Sequence, residues 1–335
     1  MTASVHDLPE EARDALREAS VPEWTSPMLA TLTDESFSDP EWIYERKLDG
    51  VRLLAFREGG GEVRLWTRNR KSRDSAYPEI VEALADLDVD DFVLDGEVVT
   101  FDGDVTSFSR LQPRMNLQDP QAARETGIDV YYYLFDLLHL DGYDLTGLAL
   151  RHRKAVLQKA IAFADPLRFT PHRNEEGEAF LEEACRKGWE GVIAKRGSSL
   201  YVHSRSRDWL KFKCVNAQEF VIGGWTEPRG ERIGLGALLI GYHADGELVY
   251  AGKVGTGYDH QTLRDLSRKL ESRERKTPPF DRGDLPGDGV HWTTPDLVCE
   301  IGFTEWTSDG KLRHPRYKGL RHDKDPREIV RERPA

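Results

Sequence analysis

Short apolar runs punctuated by glycine and proline constrain this chain more than any other feature. Runs with strand character occupy residues 42–47, 51–57, 63–67 and 92–101, and the Gly59-Gly60-Gly61 turn joins two of them as a hairpin. Residues 77–87, 150–163 and 177–187 read as helices, 130–138 as a buried strand, and 192–196 and 209–215 as strands. From residue 220 the pattern changes to strands at 220–225, 237–243 and 248–254, one helix between 260 and 273, a Pro-, Gly- and Asp-rich loop at 277–289, and a run at 297–305. A length of 335 residues exceeds one ordinary domain and suits two. The expected fold is α+β, in three parts. An acidic lead-in over 1–24 carries an amphipathic helix at 9–19, a domain of antiparallel sheets with helices covers 25–214, and a small five-stranded β-barrel covers 215–335. The Gly-X-Gly sequences at 234–236 and 255–257 lack the spacing of a dinucleotide fingerprint and are expected to be hairpin turns.

No apolar run approaches the ~20 residues that cross a bilayer, so no membrane association is expected. Residues 1–10 carry acids where a secretory signal carries bases, and no signal is expected. Cys185, Cys214 and Cys299 stand far apart in odd number, which predicts neither a disulfide framework nor a cysteine zinc site and favours a reducing cytoplasm. The histidines show no metal-ligand spacing. A net charge of −12 argues at first against an anionic partner. Residues 1–41, however, hold ten acids and two arginines, and residues 82–104 hold nine acids and no base. Bases gather elsewhere, at Arg68, Arg70, Lys71 and Arg73 and again over 313–324. The distribution therefore leaves room for a local basic groove lined by Arg52, Arg68, Arg70, Lys71 and the second domain, away from the acidic lead-in.

The octet Glu45-Arg46-Lys47-Leu48-Asp49-Gly50-Val51-Arg52 is the most informative stretch for chemistry. In a strand Glu45 and Lys47 share a face, and the glycine after them permits a sharp turn. A lysine amine becomes a nucleophile once nearby cations or a metal lower its pKa. By itself the octet fits a surface strand of alternating charge equally well.

Five further stretches follow it in a set order: Leu94-Asp95-Gly96-Glu97, Tyr133-Leu134-Phe135-Asp136, Glu190-Gly191-Val192-Ile193-Ala194-Lys195, Trp209-Leu210-Lys211-Phe212-Lys213 and Arg321-His322-Asp323-Lys324. Together the six resemble the motifs of the covalent nucleotidyltransferases, most closely the ATP-dependent DNA ligases, over about residues 25–330. The wording around Phe135 and the closing Lys318-Gly319-Leu320-Arg321 resemble the ligase module of bacterial end-joining ligases. The resemblance implies a nucleotidyltransferase (adenylation) domain followed by an OB-fold. It implies Lys47 as the residue adenylated by ATP, with AMP then passing to a DNA 5′-phosphate and being displaced by a 3′-hydroxyl. Glu97 and Glu190 would hold Mg²⁺ or Mn²⁺, Glu97 sharing its role with the ribose. Glu45, Arg52, Arg68, Phe135, Lys211, Lys213, Arg316, Arg321 and Lys324 would complete the nucleotide site, with Phe135 stacked on adenine. Lys211 and Lys213 would also depress the pKa of Lys47. Arg52, Arg70 and Lys71 would contact DNA. Implied partners are nicked or broken duplex DNA and a Ku-like end-binding protein, for a monomer in the cytoplasm at the nucleoid. A chain of this length is expected to carry no polymerase or nuclease domain. The alternatives are a GTP-using capping-type enzyme, which shares these parts, and a non-catalytic DNA binder on the same scaffold.

Overall fold

Val51–Arg57 and Arg64–Thr67 pair antiparallel across the triple-glycine turn, where Gly59 and Gly60 adopt φ of 57° and 66°, the left-handed region that glycine enters freely. In the computed structural model, which describes residues 8–214, 216–228, 233–307 and 309–332, this hairpin is one edge of a seven-stranded sheet. Phe92–Val99 and Tyr131–Leu140 continue that sheet antiparallel, and Leu167–Phe169 joins it in parallel. A second, five-stranded sheet runs in the order His172–Asn174, Trp42–Lys47, Gly191–Arg196, Arg205–Lys213 and Leu29–Leu32.

Alternation of apolar residues along these strands makes three cores. Val51, Leu53, Ala55, Leu94 and Leu137 pack with the Pro78–Ala85 and Leu150–Ala160 helices. Ile43, Leu54, Phe135, Tyr201 and Trp209 form a second cluster that joins the two sheets face to face. Trp42, Tyr44, Val192 and Phe212 pack against the Gly177–Arg186 helix on the far side of the five-stranded sheet. The chain divides into two compact units after Cys214. In the second unit Asn216–Thr226, Leu238–Ala244, Glu247–Val254, Val290–Phe303, Glu274–Arg275 and Arg316–Leu320 form a six-stranded sheet with the His260–Glu271 helix packed on it through Leu263, Leu266 and Leu270.

Several expectations are corrected. The lead-in helix is only Glu10–Asp14, because Arg17–Glu18 instead takes backbone hydrogen bonds from the sheet edge at Tyr143–Asp144. Residues 1–7 of the lead-in, and residue 215 at the end of an expected strand, lie outside the described residues. The first unit is not wholly antiparallel, since Arg205–Lys213 also pairs in parallel with Leu29–Leu32. Among the described residues the five expected barrel strands are six. Gly255 and Gly257 lead from a strand into the His260–Glu271 helix rather than between two strands. Cys185 and Cys214 form a disulfide with Cα atoms 5.2 Å apart. They stand 29 positions apart along the chain, but the Gly177–Arg186 helix packs on Gly191–Arg196, and Cys214 donates its N–H to the carbonyl of Glu190 at 3.1 Å. The compartment inferred from cysteine spacing loses its basis with that pairing.

Candidate active site

Three strands of the five-stranded sheet set the site by register alone. Lys47, Gly191 and Lys213 stand in one row, and Glu45, Ile193 and Lys211 in the next. Ile43, Lys195 and Trp209 form the third. Directly paired residues share a face, as do alternate ones, so all three rows present side chains to the same side. At a strand spacing of about 4.8 Å, the Lys47 and Lys213 backbones are roughly 10 Å apart. Gly191 adds no side chain between them. Its φ is +149°, and a Cβ there would lie 2.0 Å from the Phe212 carbonyl oxygen, so only glycine fits. Gly50 is similarly confined, with a Cβ 2.2 Å from the Val98 carbonyl. The turn before it is fixed by Asp49, whose N–H donates to Thr106 Oγ1 at 3.1 Å.

Lys47 donates from Nζ to Glu190 Oε2 at 2.5 Å. Burial pulls its pKa down, but attraction to Glu190, and then to Glu97 and Asp49, outweighs burial and leaves it above the ordinary lysine value. This corrects the expectation that neighbouring lysines depress it: in this arrangement carboxylates, rather than cations, dominate its surroundings. Glu45 lies beneath, 1% exposed, with one carboxylate oxygen 2.6 Å from Lys154 and the other 2.6 Å from Lys195. Burial alone would raise its pKa, and the two lysines bring it below the usual carboxylate value. Both its oxygens are thus engaged inside the protein. Lys195 titrates near 8, lowered chiefly by burial and then by Lys154. Its ammonium stands 4.2 Å from the Phe135 ring centroid and 4.0 Å from that of Trp209.

The seven-stranded sheet supplies the opposite wall. Glu97 is in register with Arg52 on one side and Tyr133 on the other. Arg52 makes a bidentate pair with Asp95, Nε to Oδ1 at 2.9 Å and Nη2 to Oδ2 at 2.5 Å, and Tyr201 donates to the same carboxylate at 2.6 Å. The Arg52 guanidinium lies 5.1 Å from the Phe135 centroid, and Phe135, 9% exposed, meets Trp209 edge-on at 6.1 Å. The adjacent Tyr132 faces the other way and is fully buried, its hydroxyl on the Leu53 carbonyl at 2.8 Å.

The basic turn after Arg64–Thr67 is only partly available. Arg68 hydrogen-bonds Asn69 at 3.4 Å, and Arg73 is buried with Nη1 on the Ser72 carbonyl at 2.7 Å. Arg70, in the left-handed region at φ 54°, is paired with Glu23. The acidic lead-in thus borders the basic loop, which corrects the expectation that the two are apart. Lys71 is exposed. In the second unit Arg316 is exposed. Arg321 there binds Asp323 at 3.0 and 2.9 Å and Glu300 at 3.0 Å, and Lys324 binds Glu219 at 2.9 Å.

The sequence motifs contained Asp95 and Lys195 but assigned them no role. Lys154 and Tyr201 carried no signal, because only folding brings a helix lysine and a loop tyrosine to this cleft. Among the described residues no group of three or more His, Cys, Asp or Glu is placed to hold a metal. Glu97 and Glu190, both near enough to attract Lys47, offer hard oxygen donors of the kind a divalent ion prefers.

Comparison with known proteins places the chain in a family. Residues 27–213 match the family described as the ATP dependent DNA ligase domain, and residues 231–324 match the ATP dependent DNA ligase C terminal region. The multifunctional non-homologous end joining protein LigD of Pseudomonas aeruginosa is 40% identical over 324 residues, covering 94% of this chain and 37% of that protein. The multifunctional non-homologous end joining DNA repair protein LigD of Mycobacterium tuberculosis is 38% identical over 316 residues, covering 92% of this chain and 40% of that protein. The chain thus spans about two fifths of the length of these curated relatives. A solved structure described as mycobacterial DNA ligase D complexed with ATP and MES is similar with a TM-score of 0.65 at 36% identity, over 92% of this chain and 98% of that one. With both halves matched in order, the chain belongs to the ATP-dependent DNA ligases, with a nucleotidyltransferase domain followed by an OB-fold.

Proposed function

We propose that the chain seals breaks in duplex DNA through a lysyl-AMP intermediate on Lys47. The observation that carries this is the row Lys47, Gly191, Lys213 with Glu190 at 2.5 Å from the amine. Nucleophile, a gap on the sheet face and a second cation stand in line on three adjacent strands. Attack requires the neutral amine. Without substrate Lys47 is protonated and held by Glu190, so engaging Glu190 elsewhere removes the chief attraction that keeps the proton in place. Lys211 and Lys213 then favour the neutral form and receive the α-phosphate charge. The Lys47 nitrogen forms a bond to the α-phosphorus as the bond to the bridging oxygen breaks, pyrophosphate leaves with that electron pair, and the amine loses its proton to solvent. AMP passes next to a DNA 5′-phosphate, and a 3′-hydroxyl displaces it as the phosphodiester forms.

Mg²⁺ or Mn²⁺, held by Glu97 and Glu190, would neutralise phosphate charge during the displacement. Phe135 is the proposed adenine platform, with Arg52 and Lys195 over its ring. Glu45 supports the site from below through Lys154 and Lys195 rather than by touching nucleotide. Arg52, Arg70 and Lys71 are the proposed DNA contacts, with Arg68 beside them. Arg316 is proposed to act on the triphosphate, as are Arg321 and Lys324 when released from Glu300 and Glu219. The names of the curated relatives support a role in end joining; action at the nucleoid with a Ku-like end-binding partner is part of the proposal.

Intact-mass measurement of protein incubated with Mg²⁺ and ATP, or with Mg²⁺ and GTP, tests this reading. An AMP adduct absent from Lys47→Ala, followed by sealing of a nicked duplex, is expected. A GTP-only adduct, or none from de-adenylated protein, would overturn it.

A further inference from the structure

A cavity of about 810 Å³ in the first unit is lined by none of Lys47, Glu97, Phe135, Glu190, Lys211 or Lys213. Four cations from separate segments converge on it, Arg46, Arg110, Arg168 and Lys187, against the two acids Asp104 and Asp129. Its rings are Phe101, Tyr131, Tyr133 and Trp189. Arg46 precedes Lys47 in the strand, and alternation sends its side chain to the opposite face.

The Arg46 guanidinium lies 4.2 Å from the Trp189 centroid and 5.9 Å from that of Phe101. It donates from Nη2 to the Asp104 carbonyl at 3.2 Å, while its buried Nε has no hydrogen-bond partner among the described residues. A buried N–H of a half-exposed guanidinium left without a partner is costly unless an anion completes its bonding. Burial also lowers its pKa, as expected of a cation short of countercharge. Arg168 stacks 3.7 Å from the Tyr131 centroid. The pairs that hold the other cations, Arg168 with Asp165, Arg110 with Asp102 and Lys187 with Glu183, lie largely at the surface and exchange partners at little cost.

An inorganic anion would draw on the cations alone, and an apolar molecule on the rings alone. A nucleotide uses both, its base against the rings and its phosphate on guanidinium. We propose that this cavity binds one nucleotide unit, as part of an unpaired strand leading from a DNA end or as a free mononucleotide. The strand source rests on the DNA-sealing reading; the free-nucleotide source does not.

The test uses the full chain without ATP. It is titrated with thymidine 5′-monophosphate, with a blunt duplex, and with the same duplex bearing a 5′-phosphorylated single-stranded tail. The Arg110→Gln/Lys187→Gln and Trp189→Leu variants are run alongside, each checked for the ATP adduct on Lys47. Tailed duplex bound about tenfold more weakly by both variants, with blunt duplex and adduct formation unchanged, supports the strand source. Variant-sensitive binding of thymidine 5′-monophosphate alone supports the free nucleotide. Equal losses on blunt and tailed duplex, or no loss on any probe, overturn the proposal. Failure of the ATP adduct in wild type removes the sealing reading without touching the mononucleotide arm.

Discussion

At Gly191 one missing carbon decides whether the Lys47 row can form. Its φ of +149° and the 2.0 Å approach of the Phe212 carbonyl leave no place for a side chain. Gly191→Ala is expected to cost roughly 2 kcal/mol or more and to abolish the AMP adduct, whereas Gly103→Ala, at φ +59° with open space around it, should cost about 1 kcal/mol. Urea midpoints at constant slope, measured with adduct yield, check both. The sequence made Glu190 and Lys47 visible as chemistry-bearing residues in a spaced pattern. It did not reveal that Glu190 raises the pKa of Lys47, because that sign follows from which charge comes nearest, and only register and burial set the distances.

Among the elements, the Tyr131–Leu140 strand and the Leu150–Ala160 helix are joined by a fully buried ion pair. Arg153 meets Asp136 at 2.8 and 2.9 Å and also donates to the Leu148 and Ser199 carbonyls. Removing one partner leaves a buried charge uncompensated. Asp136→Ala is therefore expected to destabilise by about 3–5 kcal/mol, and Asp136→Leu with Arg153→Met to recover much of that loss. Thermal unfolding of the single and double variants measures it. The strand was readable as an apolar run and the helix by its periodicity. Their ion pair was not, since an aspartate inside an aromatic strand and an arginine on a helix carry no sign of each other. The disulfide between Cys185 and Cys214 was hidden for the same reason.

Across the molecule, charge is arranged more closely than its block distribution suggests. Glu23 of the acidic lead-in is paired with Arg70 of the basic turn. Glu23→Gln is expected to strengthen binding of a nicked duplex two- to fivefold at low salt, about 0.4–1 kcal/mol, with the gain fading near 0.5 M salt, as fluorescence anisotropy would show. In the second unit Asp323 is held down to about 2, because Arg321, and then Lys324, overcome the upward pull of burial. Its folded pKa is depressed, so its contribution is complete above the unfolded value near 4 and is lost as pH falls toward 2. Asp323→Asn should lose on the order of 2 kcal/mol at neutral pH and converge with wild type near pH 2, followed by urea unfolding across that range. The sequence by itself determined the two-part architecture and the order of the motifs, because apolar periodicity and glycine punctuation are local properties. It also marked Lys47, Glu97, Glu190, Lys211 and Lys213 as candidates, through the resemblance of their motifs to those of the covalent nucleotidyltransferases. Only the tertiary structure decided which charges neutralise one another: Lys154 and Lys195 on Glu45, Asp95 on Arg52, Glu23 on Arg70, Asp323 on Arg321. Coulomb energy depends on distance and burial, and neither is written along the chain.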